Sequence, residues 1–343
     1  MPVTLRVSIV GIGRAIRLSA AVIGSKVPCY SPLKGFQNVQ TGGWQSRREN
    51  AGAPMEVACG QCLGCRLDRS RMWAMRICHE AALPGYHGRN CFITLTYDEE
   101  HMPVDWSLDK EHFKLFMKRL RKRFSDKKIK FFHVGEYGNR CRHGEVKKCD
   151  QCTVGRPHYH AILFGLMFDD LVVVGSRDGE AIYSSPTLES IWKKGVVQVG
   201  EVNFKSAAYC ARYCLKKITG ALAEEHYVHI DDYGVLTVIE PEYVTMSRGG
   251  RKGKGIGYEW FEKFKGDVFP SDEVPVPGQG VIKGVPRYYS EIYADEDVEG
   301  MDAVKRERQR FRKRNIEEYS PSRLMQKYKV KKAQVGLLRR TIE

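Results

Sequence analysis

Two histidines stand two apart in the run Arg156-Pro157-His158-Tyr159-His160-Ala161-Ile162-Leu163-Phe164-Gly165. The run reads as a strand, and on a strand successive side chains alternate faces. His158 and His160 therefore point the same way, with Tyr159 opposite them. Two imidazoles one strand repeat apart can grip a single divalent cation. Glu136 ends an earlier strand, Lys130 to Tyr137, where the chain heads toward the histidines. Its hard, charged oxygen makes it a plausible third ligand, which suits Mg²⁺ or Mn²⁺. Alone, the pair also reads as two histidines on a solvated strand end, so its neighbours decide the matter.

A second group with chemistry in it is Tyr209, Tyr213 and Lys216. Ser206 to Lys217 is alanine-rich, holds no Gly or Pro, and meets Gly220 as a stop, which predicts a helix. Tyr209 and Tyr213 are then a turn apart on one face, and Lys216 joins them. A phenol, with a pKa of about 10, is a poor nucleophile at neutral pH. It becomes useful when a nearby cation stabilises the phenolate or the phosphate it attacks. A divalent ion at the histidines would act as a Lewis acid on a phosphate oxygen. The chemistry this predicts is transesterification: a tyrosine attacks a DNA phosphodiester, giving a 5′-phosphotyrosine and a free 3′-hydroxyl. The bond energy is conserved, so the step can reverse as ligation. The second tyrosine can cut while the first still holds an end.

Cysteines form a third group. All 11 lie between Cys29 and Cys214, an odd number in Cys-x-x-Cys spacings, which reads as reduced thiols and metal sites rather than a disulfide framework. Cys59, Cys62 and Cys65 make two overlapping turns with glycines between them, and Cys29 is the natural fourth ligand for a tetrahedral Zn²⁺. An iron–sulfur cluster is the alternative. Cys141, His143, Cys149 and Cys152 place four ligand types in a short insert with no room for a core, and Zn²⁺ is its plausible organiser.

The elements that must position these groups follow. A helix is predicted from Arg66 to Leu83, a strand over Cys91 to Tyr97 with Thr94 and Thr96 on one face, and an amphipathic helix over Leu108 to Phe124. Ser185 to Trp192 reads as a helix and Gly195 to Val202 as a strand. Residues 33–52 read as a Gly-rich polar stretch, Met167 to Ile182 as apolar residues and a turn, and Phe269 to Pro286 as extended chain. The tail from Met301 carries 14 Lys or Arg against 5 Asp or Glu and reads as partly helical, broken at Pro321. The 343 residues carry 56 Lys and Arg against 41 Asp and Glu, a net charge of +15 that favours a polyanionic partner, nucleic acid being the commonest. Residues 1–27 are broken by Arg6, Arg14 and Arg17, too short for a membrane span and a poor signal peptide, and read as a weakly ordered extension. No membrane partner is expected.

The ordered motifs Phe92-Ile93-Thr94-Leu95-Thr96, Arg156-Pro157-His158-Tyr159-His160 and Tyr209-x3-Tyr213-x2-Lys216-Lys217 resemble those of the HUH rolling-circle replication initiators. Pro28-Cys29-Tyr30-Ser31-Pro32, Cys59-Gly60-Gln61-Cys62-Leu63-Gly64-Cys65-Arg66, Gly135-Glu136-Tyr137-Gly138 and Gly257-Tyr258-Glu259-Trp260-Phe261 are more closely similar to the gokushovirus branch of the microviruses. The resemblance implies an α+β fold, a palm-like antiparallel sheet with flanking helices. It implies nicking of the phage replicative form at its origin and later circularisation of the displaced strand. His158 and His160 carry over as metal ligands, and Tyr209 and Tyr213 as nucleophiles. Single- and double-stranded DNA and host replication proteins are the implied partners, in the cytoplasm of a bacterial host. The expected layout is a Cys-rich knuckle and helix over 28–89, a nuclease core over 90–220 holding the 140–155 insert, an accessory region over 221–300 and a basic tail over 301–343. Tyr159 departs from the aliphatic residue usual between the histidines, and since it faces away, little consequence is expected. The rival readings are a non-catalytic zinc-binding nucleic-acid protein and a related HUH transposase or relaxase. Relaxases usually carry three clustered histidines, and here only His133 and His143 are candidates for a third.

Overall fold

The computed structural model describes residues 27–103, 105–138, 155–177, 180–212, 223, 226–230, 234–248 and 254–336. In chain order, β1 (Leu33–Asn38), β2 (Trp44–Gln45) and β3 (Ala51–Val57) precede α1 (Leu63–Ala81). Then come β4 (Asn90–Thr96), α2 (Lys110–Arg123), β5 (Lys130–Tyr137), β6 (Pro157–Phe164), β7 (Val172–Arg177) and β8 (Glu180–Ser184). These lead to α3 (Pro186–Trp192), β9 (Val197–Gly200), α4 (Phe204–Arg212), β10 (Val228–Ile230), β11 (Leu236–Val238) and β12 (Tyr243–Met246). The last part holds α5 (Tyr258–Val268), β13 (Glu273–Val276), β14 (Gly280–Lys283), α6 (Arg287–Glu296), α7 (Val298–Arg314), a 3₁₀ turn (Ile316–Tyr319) and α8 (Pro321–Gly336).

Every residue of β6 is buried, the apolar run Ala161 to Phe164 and the two histidines alike. It lies inside a seven-stranded sheet of order β12-β5-β6-β4-β9-β8-β7. The pairings are antiparallel throughout. Both faces are covered. Phe92, Phe132, Val134, Ile162 and Phe164 pack with buried residues of α1, α4 and α5. Ile93, Leu95, Tyr159, Ala161 and Leu163 face the other way, onto α2 and α3.

Local chemistry sets the helix limits. Asp109 caps α2 by accepting from the Glu111 N–H at 2.7 Å, and Phe113, Phe116, Met117 and Leu120 recur on one face to reach the sheet. Ser185 caps α3 through the Leu188 N–H at 3.1 Å, with Pro186 in the first turn where its missing N–H costs nothing. Helix α1 has no side-chain cap, and it starts directly out of the cysteine knuckle at Cys62.

The C-terminal region is fastened to α1. His79 is stacked on Trp260 with ring centroids 3.6 Å apart, and it bonds Tyr289 Oη and the Pro275 carbonyl. Glu80 is fully buried and accepts from Lys130 Nζ at 2.6 Å and from the Gly257 N–H at 2.7 Å.

Two expectations need amendment. Residues 33–57, read as a Gly-rich polar stretch to about Gly52, form the three-stranded sheet β2-β1-β3. The 167–182 region contributes to a hairpin, β7 with β8, at the edge of the large sheet. The tail is helical in part and broken ahead of Pro321, the first residue of α8, as expected. Residues 1–26 of the extension and 139–154, which hold most of the insert, lie outside the described residues. Among the described residues, no helix is long and apolar enough to cross a membrane.

Candidate active site

Glu136 stands opposite His158 in the β5–β6 register, and Thr94 stands opposite His160 in the β4–β6 register. Opposed residues share a face, so three neighbouring strands aim these side chains at one spot. The carboxylate oxygen Glu136 Oε1 lies 2.9 Å from His158 Nε2 and 2.8 Å from His160 Nε2. All three residues are buried. Burial alone would push the Glu136 carboxyl up, but the facing imidazoles outweigh it and hold the group well below the usual carboxylate range.

The imidazoles are oriented from behind. His158 Nδ1 lies 3.2 Å from the Arg156 carbonyl, which only accepts, so Nδ1 carries the proton and Nε2 is the nitrogen aimed at Glu136. His160 Nδ1 and Thr94 Oγ1 share a hydrogen bond at 2.9 Å. Two nitrogens and one oxygen of this kind suit a divalent ion. With metal–ligand bonds near 2.1 Å, adjacent octahedral ligands sit about 3 Å apart, close to the two separations seen here.

Helix α4 covers the same face. Tyr209 Oη is 3.4 Å from His160 Nε2, and its ring packs edge-on to His160 and Phe92. The Arg212 guanidinium lies 5.5 Å from the Tyr209 ring centre, one helical turn on. Tyr213, Lys216, Cys141, His143, Cys149 and Cys152 lie outside the described residues.

His133 does not join the cluster. It is opposite Ala161 in register, on the other face, stacked on Phe113 at 3.3 Å and bonded to Thr245 Oγ1. Burial holds its imidazole neutral, well below the usual histidine range. Tyr159 likewise faces away from Glu136.

A family model described as replication-associated protein ORF2/G2P matches residues 90–218, the span that holds Thr94, Glu136, His158, His160 and Tyr209. The replication-associated protein ORF2 of Spiroplasma virus 4 is 33% identical over 273 residues, covering 76% of this chain and 75% of the relative. The chain belongs to the microvirus replication-associated proteins. Protein VP4 of Bdellovibrio phage phiMH2K is 30% identical over 249 residues, 70% of this chain and 68% of its own length. ORF4 of Chlamydia phage 1 is 36% identical over 170 residues, 47% of this chain and 38% of its own. No solved structure matches the chain.

In this replication-associated protein, sequence reasoning brought Glu136, His158, His160 and Tyr209 to one place. It missed the parts of Thr94, the Arg156 carbonyl and Arg212. Thr94 was marked as sharing a face with Thr96, but its partner depends on which strand lies beside β4, which spacing along one strand does not encode.

Proposed function

We propose that this replication-associated protein initiates replication as a nickase and ligase, cutting one DNA strand by tyrosine transesterification. The observation that carries the reading is the Tyr209 hydroxyl facing His160 within a buried cluster of two imidazoles and a carboxylate. Tyr209 Oη forms a bond to the scissile phosphorus while the P–O3′ bond breaks. The phenol loses its proton and the 3′-oxygen gains one, leaving a primer end for rolling-circle synthesis. Because one ester replaces another, a later 3′-hydroxyl can attack the phosphotyrosine and close the displaced strand into a circle.

His158, His160 and Glu136 would hold Mg²⁺ or Mn²⁺, which supplies Lewis acidity at a phosphate oxygen. The chain's own contribution is orientation: Thr94 and the Arg156 carbonyl fix the two imidazoles, and β5 brings the carboxylate between them. Arg212 sets a positive charge beside the attacking phenol. The spacing of Tyr213 and Lys216 supports a second nucleophile and a further cation on the same helix. An antiparallel sheet with the histidine strand inside it and the tyrosine helix on the same face supports reading the core as an HUH palm. Origin DNA and host replication proteins in a bacterial cytoplasm are the partners that go with this reading.

The test is a supercoiled plasmid carrying the phage origin, incubated with full-length protein and Mn²⁺. The wild type is expected to give open circles and a protein–DNA adduct that survives denaturing electrophoresis. Tyr209→Phe/Tyr213→Phe should give neither while still shifting the DNA in a gel. Adduct formation by that double variant at the wild-type level would sink the proposal, and a wild type that binds without ever cutting would favour the non-catalytic reading.

A further inference from the structure

Outside the active site, one other group of side chains is assembled as a ligand set. The sulfurs of Cys29, Cys59, Cys62 and Cys65 all lie within 4.8 Å of one another. Cys29 to Cys59 is 3.6 Å, Cys29 to Cys62 is 3.8 Å and Cys59 to Cys65 is 4.0 Å. A disulfide needs about 2.05 Å, and all four are free thiols. A tetrahedral ion with metal–sulfur bonds near 2.3 Å spaces its ligands about 3.8 Å apart, and the three separations bracket that figure.

The backbone around the sulfurs is arranged for thiolates. The Cys59 N–H donates to Cys29 Sγ at 3.3 Å, the Cys62 N–H to Cys59 Sγ at 3.2 Å and the Tyr30 N–H to Cys62 Sγ at 3.3 Å. Donors aimed at sulfur favour its charged form and support a metal's ligands from behind. Four soft ligands exclude Mg²⁺ and Ca²⁺ as occupants, and four protein ligands fill a tetrahedral shell, which is a structural and not a catalytic arrangement.

We propose that Cys29, Cys59, Cys62 and Cys65 bind one Zn²⁺ as a closed structural site that seats α1 against the tyrosine helix. Binding moves no electrons; up to four thiol protons pass to water as the ion enters. The bound ion joins the segment before β1 to the first turn of α1. Around it the chain is already tight: a Cβ at Gly64 would meet the Pro28 carbonyl at 2.0 Å, and the Tyr30 ring packs edge-on to Tyr328 of α8. Further along, α1 shares a core with Ala207, Ala208 and Tyr209 of α4. The four cysteines share no residue with the Glu136, His158 and His160 cluster, so zinc binding by them does not depend on the cleavage reading.

Metal content of full-length protein, purified without chelator or a histidine tag, tests this. Cys62→Ser/Cys65→Ser should hold one equivalent of zinc less than the wild type, and His158→Ala/His160→Ala should not differ from it. Cobalt-substituted wild type should show the intense thiolate-to-metal absorption of a four-sulfur tetrahedral site, absent from Cys62→Ser/Cys65→Ser. Should that variant fail to fold, a mercurial titration of the wild type serves, with one zinc expected to leave as four thiols react. Three results would overturn the proposal: equal zinc in wild type and the folded cysteine variant, zinc lost only from Cys149→Ser/Cys152→Ser, or protein that carries iron in place of zinc.

Discussion

Tyr159 shows how a residue between two candidate ligands can serve a different face. Because it faces away from the histidines, an aromatic here is expected to matter little to a metal. The hydroxyl instead takes a hydrogen bond from the Asp109 N–H at 3.0 Å, donates to the Asp109 carbonyl at 2.8 Å and lies 2.6 Å from Tyr97 Oη. It thereby ties the centre of the sheet to the capping residue of α2. Burial pushes the phenol up to about 12, so it stays protonated and able to donate across the working pH range. Tyr159→Phe removes a partner from the buried Tyr97 hydroxyl and from the half-buried Asp109 N–H, and an unsatisfied buried group costs about 1–3 kcal/mol. Urea unfolding should register a loss of that size. Mn²⁺ affinity, read by calorimetry, should stay within about twofold of the wild type, because the histidines lie on the opposite side of the strand. A large loss of affinity would mean that the two faces are coupled.

At the scale of elements, α4 carries Ala207, Ala208 and Ala211 on buried positions. Small side chains let it lie close to α1 and to β6, and that closeness brings Tyr209 to His160. Ala207→Leu should therefore overpack the interface, at about 1–3 kcal/mol, and push the phenol away from the histidine. Since a displacement of about 1 Å can cost on the order of 10²-fold in rate, adduct formation should fall far more than DNA binding. Equal rates in variant and wild type would show that the packing of α4 does not set the tyrosine's position. The same scale shows what the chain announced. The all-buried β6, the periodic α2 and the alanine-rich start of α4 are long or strongly patterned, so their types were legible. The strands β1 to β3 were not, because Gly35, Gly52 and Pro54 interrupt them and no residue in them is buried. The β7–β8 hairpin hid for a related reason: Val172, Val173 and Val174 run together on an exposed edge, without alternation. Glu136 was found because it ends the strand that precedes the histidine strand in the chain, whereas Thr94 needed the order β5-β6-β4, which is set by long-range pairing.

Over the whole molecule, two properties bear on how the parts hold together and what they hold. His79 links α1 to the C-terminal region, and its hydrogen bonds require the neutral ring: Nε2 donates to the Pro275 carbonyl, and Nδ1 accepts from Tyr289. Burial lowers its pKa to about 3, against about 6.5 in the unfolded chain. As pH falls below about 6.5 the unfolded state takes up the proton first, so stability is lost between there and about 3. At pH 5 this amounts to about 2 kcal/mol relative to pH 7.5. Urea midpoints should show His79→Gln less stable than the wild type at pH 7.5 and less sensitive to acid, and equal pH slopes would exclude the residue. The second property is charge. In α7 and α8 much of the basic excess is already paired: Arg308 with Asp272, Arg312 with Glu56, and Arg323 and Lys327 with Glu318. Arg306, Lys313, Lys329 and Lys332 are exposed and in no ion pair among the described residues. If these helices follow a DNA backbone, those four are the cations that replace its counterions. Changing all four to Gln should reduce the steepness of log K against log salt by roughly 0.9 for each one that touches a duplex phosphate. The measurement is fluorescence anisotropy with a labelled duplex across a salt series. An unchanged slope would move the DNA path off α7 and α8, leaving the +15 excess to act through other surfaces.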